Sequence, residues 1–340
     1  MHRSPVTGPD RMPAEGDVSR SYPVGAHRLS VAGGSRVGQR YSANFDVLHV
    51  DPVLPFVAVA DGMGEGRGST AAGGTTMETM VAGVRVAAPQ IGPDQLRAAM
   101  AQAQSRVRAA GAELGELTGC TFTGLVVVPP AGGADDAGRV PAPGEGLPEA
   151  AYPGGSGAAD QVLRVRRTAP VARTAPGSAP AGPAPGSAPA GTAPGSAPAG
   201  TGGTGELTGW IVQIGDSRAY RLRDGLLELL TVDHTAAWLG AVYGWYPADS
   251  PAAAAARYQL TRYVGHPAMP EPDLLNVSLR PGDVYCLCTD GVAEQLDYQR
   301  LSGRLGAAGN LLETVRGVLA DTLVAGGRDN ATIAVLRVEP

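Results

Sequence analysis

Four aspartates hold the same kind of place: Asp46, Asp61, Asp290 and Asp329 each stand where an apolar, strand-like run breaks into a polar turn. Residues 56–60 run straight into Asp61-Gly62-Met63-Gly64-Glu65-Gly66, and residues 284–289 run into Asp290-Gly291. A glycine after the carboxylate lets the chain turn sharply and brings a backbone carbonyl close enough to act as a further oxygen ligand. All-oxygen sets of this type suit hard divalent cations such as Mg²⁺ and Mn²⁺. The chemistry within reach is therefore activation of water and neutralisation of an anionic substrate by metal ions.

Further along the chain the same residues fall into an ordered series. Arg40 with Asn44-Phe45-Asp46 comes first, then Asp61-Gly62-Met63-Gly64, Gly119-Cys120-Thr121 and Gly215-Asp216-Ser217-Arg218-Ala219-Tyr220. Thr231-Val232-Asp233-His234, Pro281-Gly282-Asp283-Val284, Thr289-Asp290-Gly291 and Asp329-Asn330-Ala331-Thr332 complete it. In this order, over roughly residues 28–128 and 206–340, the chain resembles the metal-dependent protein phosphatases of the protein phosphatase 2C family in its bacterial form.

The resemblance implies hydrolysis of phosphoserine and phosphothreonine in proteins, by attack of a water bridged between two divalent metals, Mn²⁺ or Mg²⁺. It makes Asp61 the bridging carboxylate and gives the Gly62 carbonyl to one metal. Asp290 and Asp329 become direct ligands of the other, and Asp46 an outer carboxylate that holds metal-bound waters. Asp216 matches the ligand of a third, weaker metal found in bacterial relatives and shared with Asp290; Gly215-Asp216-Ser217 also reads as a simple hairpin turn. Arg40 is the candidate for the substrate phosphate, because a guanidinium offers forked donors to phosphate oxygens. It lies one residue further from Asp46 than is usual, which leaves Arg36 as the alternative. Implied partners are phosphorylated proteins and components of a Ser/Thr kinase pathway.

Met63 cannot donate the proton that histidine supplies at that position in eukaryotic members, as in most bacterial members, and water on a metal is the expected acid instead. Phe45 and the displaced Arg40 motivate a second reading. Relatives commonly carry glutamate where Phe45 stands, so one charged acceptor for metal-bound water is missing. The alternative is a pseudophosphatase that binds or scaffolds phosphorylated partners without turnover.

Composition bounds the rest. A net charge of −5 without a basic stripe argues against nucleic acid. No apolar run reaches the length of a membrane span, and the N-terminus lacks the apolar core of a signal peptide, so a cytoplasmic protein is expected. Cys120, Cys286 and Cys288, an odd number set in apolar runs, read as buried thiols. Residues 1–27 are expected to form a disordered or loosely attached tail. Residues 129–205 are dominated by Pro, Ala, Gly, Ser and Thr and repeat Ala-Pro-Gly-Ser-Ala-Pro-Ala-Gly three times, so they read as a disordered insertion in a hairpin of a single domain over 28–340.

The elements that must hold the aspartates are many short strands and a few helices. Strands are expected at residues 47–50, 56–60, 122–128, 210–214, 219–223, 274–279, 284–288 and 331–338. Helices are expected at 70–86, 94–114 and 311–323; in the second, Leu96, Met100, Ala103, Val107, Ala110 and Leu114 recur at three- and four-residue steps. Runs of strands with consecutive helices point to an α+β fold. The resemblance specifies a four-layer sandwich of two antiparallel β-sheets flanked by helices. Tyr243, Trp245 and Tyr246, in the region where relatives place a variable flap, read either as an aromatic wall for a partner or as core.

Overall fold

A computed structural model describes residues 16–88, 90–128, 207–247 and 249–339. The chain opens with β1 (Gly16–Val24), β2 (His27–Arg36), β3 (Val47–Val50) and β4 (Phe56–Ala60), followed by α1 (Arg67–Ala87) and α2 (Pro93–Leu114). Then come β5 (Phe122–Val128), β6 (Leu207–Ile214), β7 (Arg218–Arg223) and β8 (Leu226–Leu229). Short helices α3 (Ala236–Tyr243) and α4 (Pro251–Ala256) lead to β9 (Asp273–Leu279) and β10 (Val284–Cys288). The chain closes with α5 (Asp290–Ala293), α6 (Tyr298–Leu305), α7 (Leu311–Val324) and β11 (Ala331–Val338).

The strands form two antiparallel sheets, β1-β2-β11-β10-β7-β8 and β3-β4-β5-β6-β9. Their facing sides share one core, in which Leu29, Leu287 and Leu336 of the first sheet meet Leu48, Val59 and Leu125 of the second. The outer face of the second sheet carries Phe56, Phe122 and Ile214 against Met80, Leu96 and Met100 of α1 and α2. On the other side, Cys286 and Ile333 pack against Val315 and Leu319 of α7. The expected four-layer α+β sandwich is thus the fold. Strands buried on both faces explain the unbroken apolar runs Phe56–Ala60 and Val284–Cys288, every residue of which is buried.

Helix α2 follows its sequence pattern closely. Leu96, Met100, Ala103 and Val107 are buried, Pro93 opens the first turn, and Gly115 closes the helix in the left-handed conformation at φ 67°. The three cysteines are free and buried.

One expectation is corrected. The loosely attached tail over residues 1–27 does not extend past residue 15, because β1 pairs with β2 along its whole length, from Gly16 opposite Ser35 to Val24 opposite His27. Gly25, at φ 59°, makes the tight turn, and Tyr22 and Val24 alternate into the core. The Tyr22 hydroxyl also donates to the Asp51 carbonyl. Arg and Ser at the outward positions of β1 hide the strand from a hydropathy reading. Residues 1–15 lie outside the described residues, as does the whole of 129–205. The strands on either side of that segment pair directly, with Val128 opposite Thr208.

Candidate metal centre

The site is built at one end of the sandwich by strand register. In the second sheet Val47 lies opposite Ala60, so Asp46 and Asp61, each one residue beyond, face each other across the ends of β3 and β4. In the first sheet Cys288 lies opposite Ile333, and the Thr289 N–H donates to the Thr332 carbonyl at 3.0 Å. Asp290 and Asp329 therefore flank the same end of β10 and β11. Asp216 arrives by a third route. The strands it joins, β6 and β7, belong to different sheets, so residues 215–217 cross between layers and do not form a hairpin turn.

The electrostatics follow from this placement. Burial, together with the charges of Asp46, Asp290, Asp216 and Asp329, raises the Asp61 carboxyl well above its ordinary range. Burial, then Asp290 and Asp233, does the same to Asp216. Burial pushes Asp46 up to about 7, reinforced by Asp290 and Asp329 and opposed by hydroxyls of Thr332 and Thr289. Burial, Asp329 and Glu294 push Asp290 up to about 6, against a hydrogen bond with Asp61 and the Gly291 N–H. Burial raises Asp329 as well, countered by the Asn330 N–H at 2.8 Å and the positive charge of Arg40. Four carboxyls raised by burial and by neighbouring carboxylates, with Asp329 raised by burial beside them, form a sink for positive charge.

Whether a hard cation fits can be judged from the oxygens themselves. Asp46 Oδ1 and Asp290 Oδ1 are buried and have no hydrogen-bond partner. An ionised carboxylate only accepts, so a buried orphan oxygen is costly unless a cation meets it. Among the described residues no point is enclosed by three acidic, histidine or cysteine side chains. Small hard cations that keep much of their water take only one or two carboxylates each and need no closed cage of side chains. The residues present fit divalent hard cations.

Asp46 is held by a network that joins the two sheets. Thr289 Oγ1 donates to Asp46 Oδ2 at 2.9 Å, and the Asp46 N–H donates to Asn44 Oδ1 at 3.0 Å. Asn44 Nδ2 donates to Ser35 Oγ at 2.8 Å, and Ser35 shares a 2.6 Å hydrogen bond with Thr332. Thr121 does similar work on the other side: its hydroxyl accepts from the Asp61 N–H at 3.1 Å and shares a 2.6 Å bond with Ser217. None of these hydroxyls was singled out from sequence as part of the site. The signal was present in Thr289, which closes one apolar strand-like run, and in Thr121, which opens another, both beside motif residues.

The glycines of the turns are sterically required. A Cβ on Gly62 would come within 2.8 Å of the Ser69 carbonyl oxygen and 2.9 Å of that of Phe45, and one on Gly291 within 1.9 Å of the Asn330 carbonyl oxygen. Arg40 is exposed and acts electrostatically on Asp329. Arg36, the alternative phosphate ligand, is committed elsewhere, to Asp17 at 2.7 Å and to the carbonyls of Gly16 and Ser35. Phe45 sets its ring edge-on to Tyr41, with centroids 6.3 Å apart.

Asp233 and His234 stand beside the cluster as supports. Arg218 makes a forked pair with Asp233 at 2.8 and 2.6 Å. The Gly215 N–H donates to His234 Nδ1 at 3.1 Å, next to Asp216. In the segment between β8 and β9, Tyr243 and Trp245 stack with centroids 5.5 Å apart and are 67% and 61% exposed, so they are not core. Tyr246 turns inward and donates its hydroxyl to the Ala236 carbonyl at 2.7 Å.

Comparison with known proteins adds the following. No family model matches the chain. It is 31% identical over 126 residues to a putative protein phosphatase 2C-type protein of Streptococcus pyogenes serotype M6, covering 37% of this chain and 51% of that protein. It is 32% identical over 129 residues to the serine/threonine protein phosphatase PstP of Mycobacterium tuberculosis, covering 38% of this chain and 24% of that one. The matches thus span about half of the first relative and a quarter of the second. Among solved structures, the catalytic domain of serine threonine protein phosphatase PstP in complex with two manganese ions aligns over 92% of this chain and 99% of its own, with a TM-score of 0.57 at 21% identity. The chain resembles the 2C-type bacterial Ser/Thr phosphatases in sequence and has their fold.

Proposed function

We propose that this chain is a metal-dependent phosphatase of phosphoserine and phosphothreonine in proteins. The observation that carries the reading is the convergence of five buried or half-buried carboxyls with two orphan oxygens at the end of this fold. Asp61, the Gly62 carbonyl, Asp290 and Asp329 would hold two divalent cations, Mn²⁺ or Mg²⁺, with Asp46 as an outer acceptor and Asp216 serving a third. Such a pair, when bound, lowers the pKa of water and neutralises the oxygens of a phosphoryl group.

The chain's own residues supply position. Thr289 and Thr332 hold Asp46 between the sheets, Thr121 fixes the backbone at Asp61, and Gly62 and Gly291 let the strand ends approach. Arg40, exposed beside Asp329, is free to meet the phosphate of an incoming phosphoresidue. The relatives' names support phosphoproteins as substrates, hence a place opposite Ser/Thr kinases in the cytoplasm. Among the described residues no helix is long and apolar enough to cross a membrane.

The test is the initial rate of aryl phosphate hydrolysis against Mn²⁺ and Mg²⁺ concentration, for the wild type and Asp290→Asn. Saturable, metal-dependent turnover that falls by at least about a hundredfold in the variant is expected. Folded protein without turnover in either metal would overturn the phosphatase reading.

A further inference from the structure

A groove with a volume of about 570 Å³ runs beside the carboxyl cluster, between the loop that carries Phe45 and helix α1. Phe45, Ala71, Gly74 and Leu114 give it an apolar lining, and exposed Arg67 and Glu78 stand along it with opposite charges. Its exposed area is mostly apolar, and its volume falls within the range of small-ligand sites. A single leucine or phenylalanine side chain would enter with room to spare.

Two residues that line the groove, Phe45 and Gly66, border the chain segments that carry Asp46 and Asp61. Phe45 immediately precedes Asp46, and its carbonyl abuts Gly62, where an added Cβ would approach within 2.9 Å. Gly66, which also lines the groove, ends the turn that Asp61 begins. The Phe45 ring is steadied by its edge-on contact with Tyr41. A substrate held at the carboxyls therefore has an apolar wall next to it.

We propose that this groove is a specificity subsite that takes an apolar side chain flanking the phosphorylated residue of a protein substrate, with Phe45 and Ala71 as its determinants. The inference rests on the phosphatase reading and extends it to a substrate class. An extended peptide advances about 3.3 Å per residue and turns alternate side chains to opposite sides. A peptide whose phosphate sits at the carboxyls can thus lay a neighbouring residue into the groove. The near-cancelling charges of Arg67 and Glu78 give no reason to prefer a charged residue there. A small aryl phosphate carries no flanking side chain to place in the groove.

The experiment uses the full chain with Mn²⁺ and two matched sets of phosphothreonine peptides, differing only in whether leucine or serine occupies each flanking position in turn. One set is hydrolysable and read as kcat/KM; the other carries a non-hydrolysable phosphonate and a fluorophore and is read by anisotropy. Leucine at one or two flanking positions is expected to raise kcat/KM about tenfold and to tighten phosphonate binding in parallel. Ala71→Phe, which fills the groove from α1, should abolish that preference while leaving aryl phosphate turnover within about twofold of wild type. Phe45→Ala should weaken the preference from the opposite wall.

Aryl phosphate turnover with no leucine preference at any position would overturn the subsite and leave the phosphatase standing. So would a preference that Ala71→Phe leaves intact. Absence of all turnover would overturn the phosphatase reading, and equal binding of the leucine and serine phosphonates would then remove the groove's role as well.

Discussion

The Thr289 hydroxyl donates to Asp46 at 2.9 Å across the gap between the two sheets, and it is fully buried. It is one of two hydroxyls that oppose the rise in the Asp46 pKa, so it keeps that carboxyl closer to the charged form a cation requires. Thr289→Val preserves the shape, removes the donor and leaves a buried carboxylate oxygen short of a partner. Stability is expected to fall by about 1–3 kcal/mol. Affinity for Mn²⁺ should drop roughly tenfold, the usual scale when an outer partner of a metal site is lost. Thermal unfolding and calorimetric titration with Mn²⁺ measure the two effects separately, and an unchanged titration would show that Asp46 does not depend on this bond.

At the scale of elements, the centre depends on strand ends approaching more closely than most side chains allow. Gly291 sits where β10 passes into α5, and an added Cβ would meet the Asn330 carbonyl oxygen at 1.9 Å and Asp329 Cβ at 3.3 Å. Gly291→Ala must push the start of β11 away from α5, which separates Asp290 from Asp329. A loss of about 1–3 kcal/mol in urea unfolding is expected, with a weaker response to Mn²⁺. Gly303→Ala, within α6, is the matched control, since a Cβ there meets nothing within 4 Å. It should be stabilising by about 0.4–1 kcal/mol. Register matters equally: β3 and β4 bring Asp46 and Asp61 together only in the observed pairing, and a slip of one residue would turn every core side chain of β3 outward.

For the molecule as a whole, five carboxyls gathered at one end oppose folding until a cation joins them. A carboxyl whose pKa rises on folding binds more protons folded than unfolded, so stability falls as pH climbs between the two values. For Asp46 and Asp290 that window runs from the ordinary value of 3.8 to about 7 and about 6. Carboxyls shifted the other way, such as Asp51 and Asp321, are ionised in both states above about pH 5 and do not act there. The metal-free protein is therefore expected to melt at a lower temperature at pH 7.5 than at pH 5. Mn²⁺ at about a hundredfold over its dissociation constant should restore about 2.7 kcal/mol at the higher pH. Asp290→Asn should exceed the wild type in stability without metal and fall below it with metal. Thermal unfolding across pH, with Mn²⁺ or a chelator, measures all three; a metal-free melting temperature independent of pH between 5 and 7.5 would contradict the mutual repulsion.

Much of this was legible along the chain, because it depends on neighbours in sequence. The Asp-Gly pairs at the ends of apolar runs, the three- and four-residue spacing of α2 and the buried strands Phe56–Ala60 and Val284–Cys288 all report local backbone geometry and one-sided or two-sided burial. β1 escaped notice because only Tyr22 and Val24 of its last residues face the core, between Arg, Ser and Pro. The assembly of the centre lies on a different link. Asp46 and Asp61 meet through the pairing of β3 with β4, Asp290 and Asp329 through that of β10 with β11, and Asp216 through a crossing between sheets. Thr289 reaches Asp46 across 243 residues of chain, and the groove beside Phe45 exists only because α1 packs next to that loop. Composition and periodicity carry no measure of such distances, because they are set by the packing of two sheets and their helices around shared cores, a property of many residues at once.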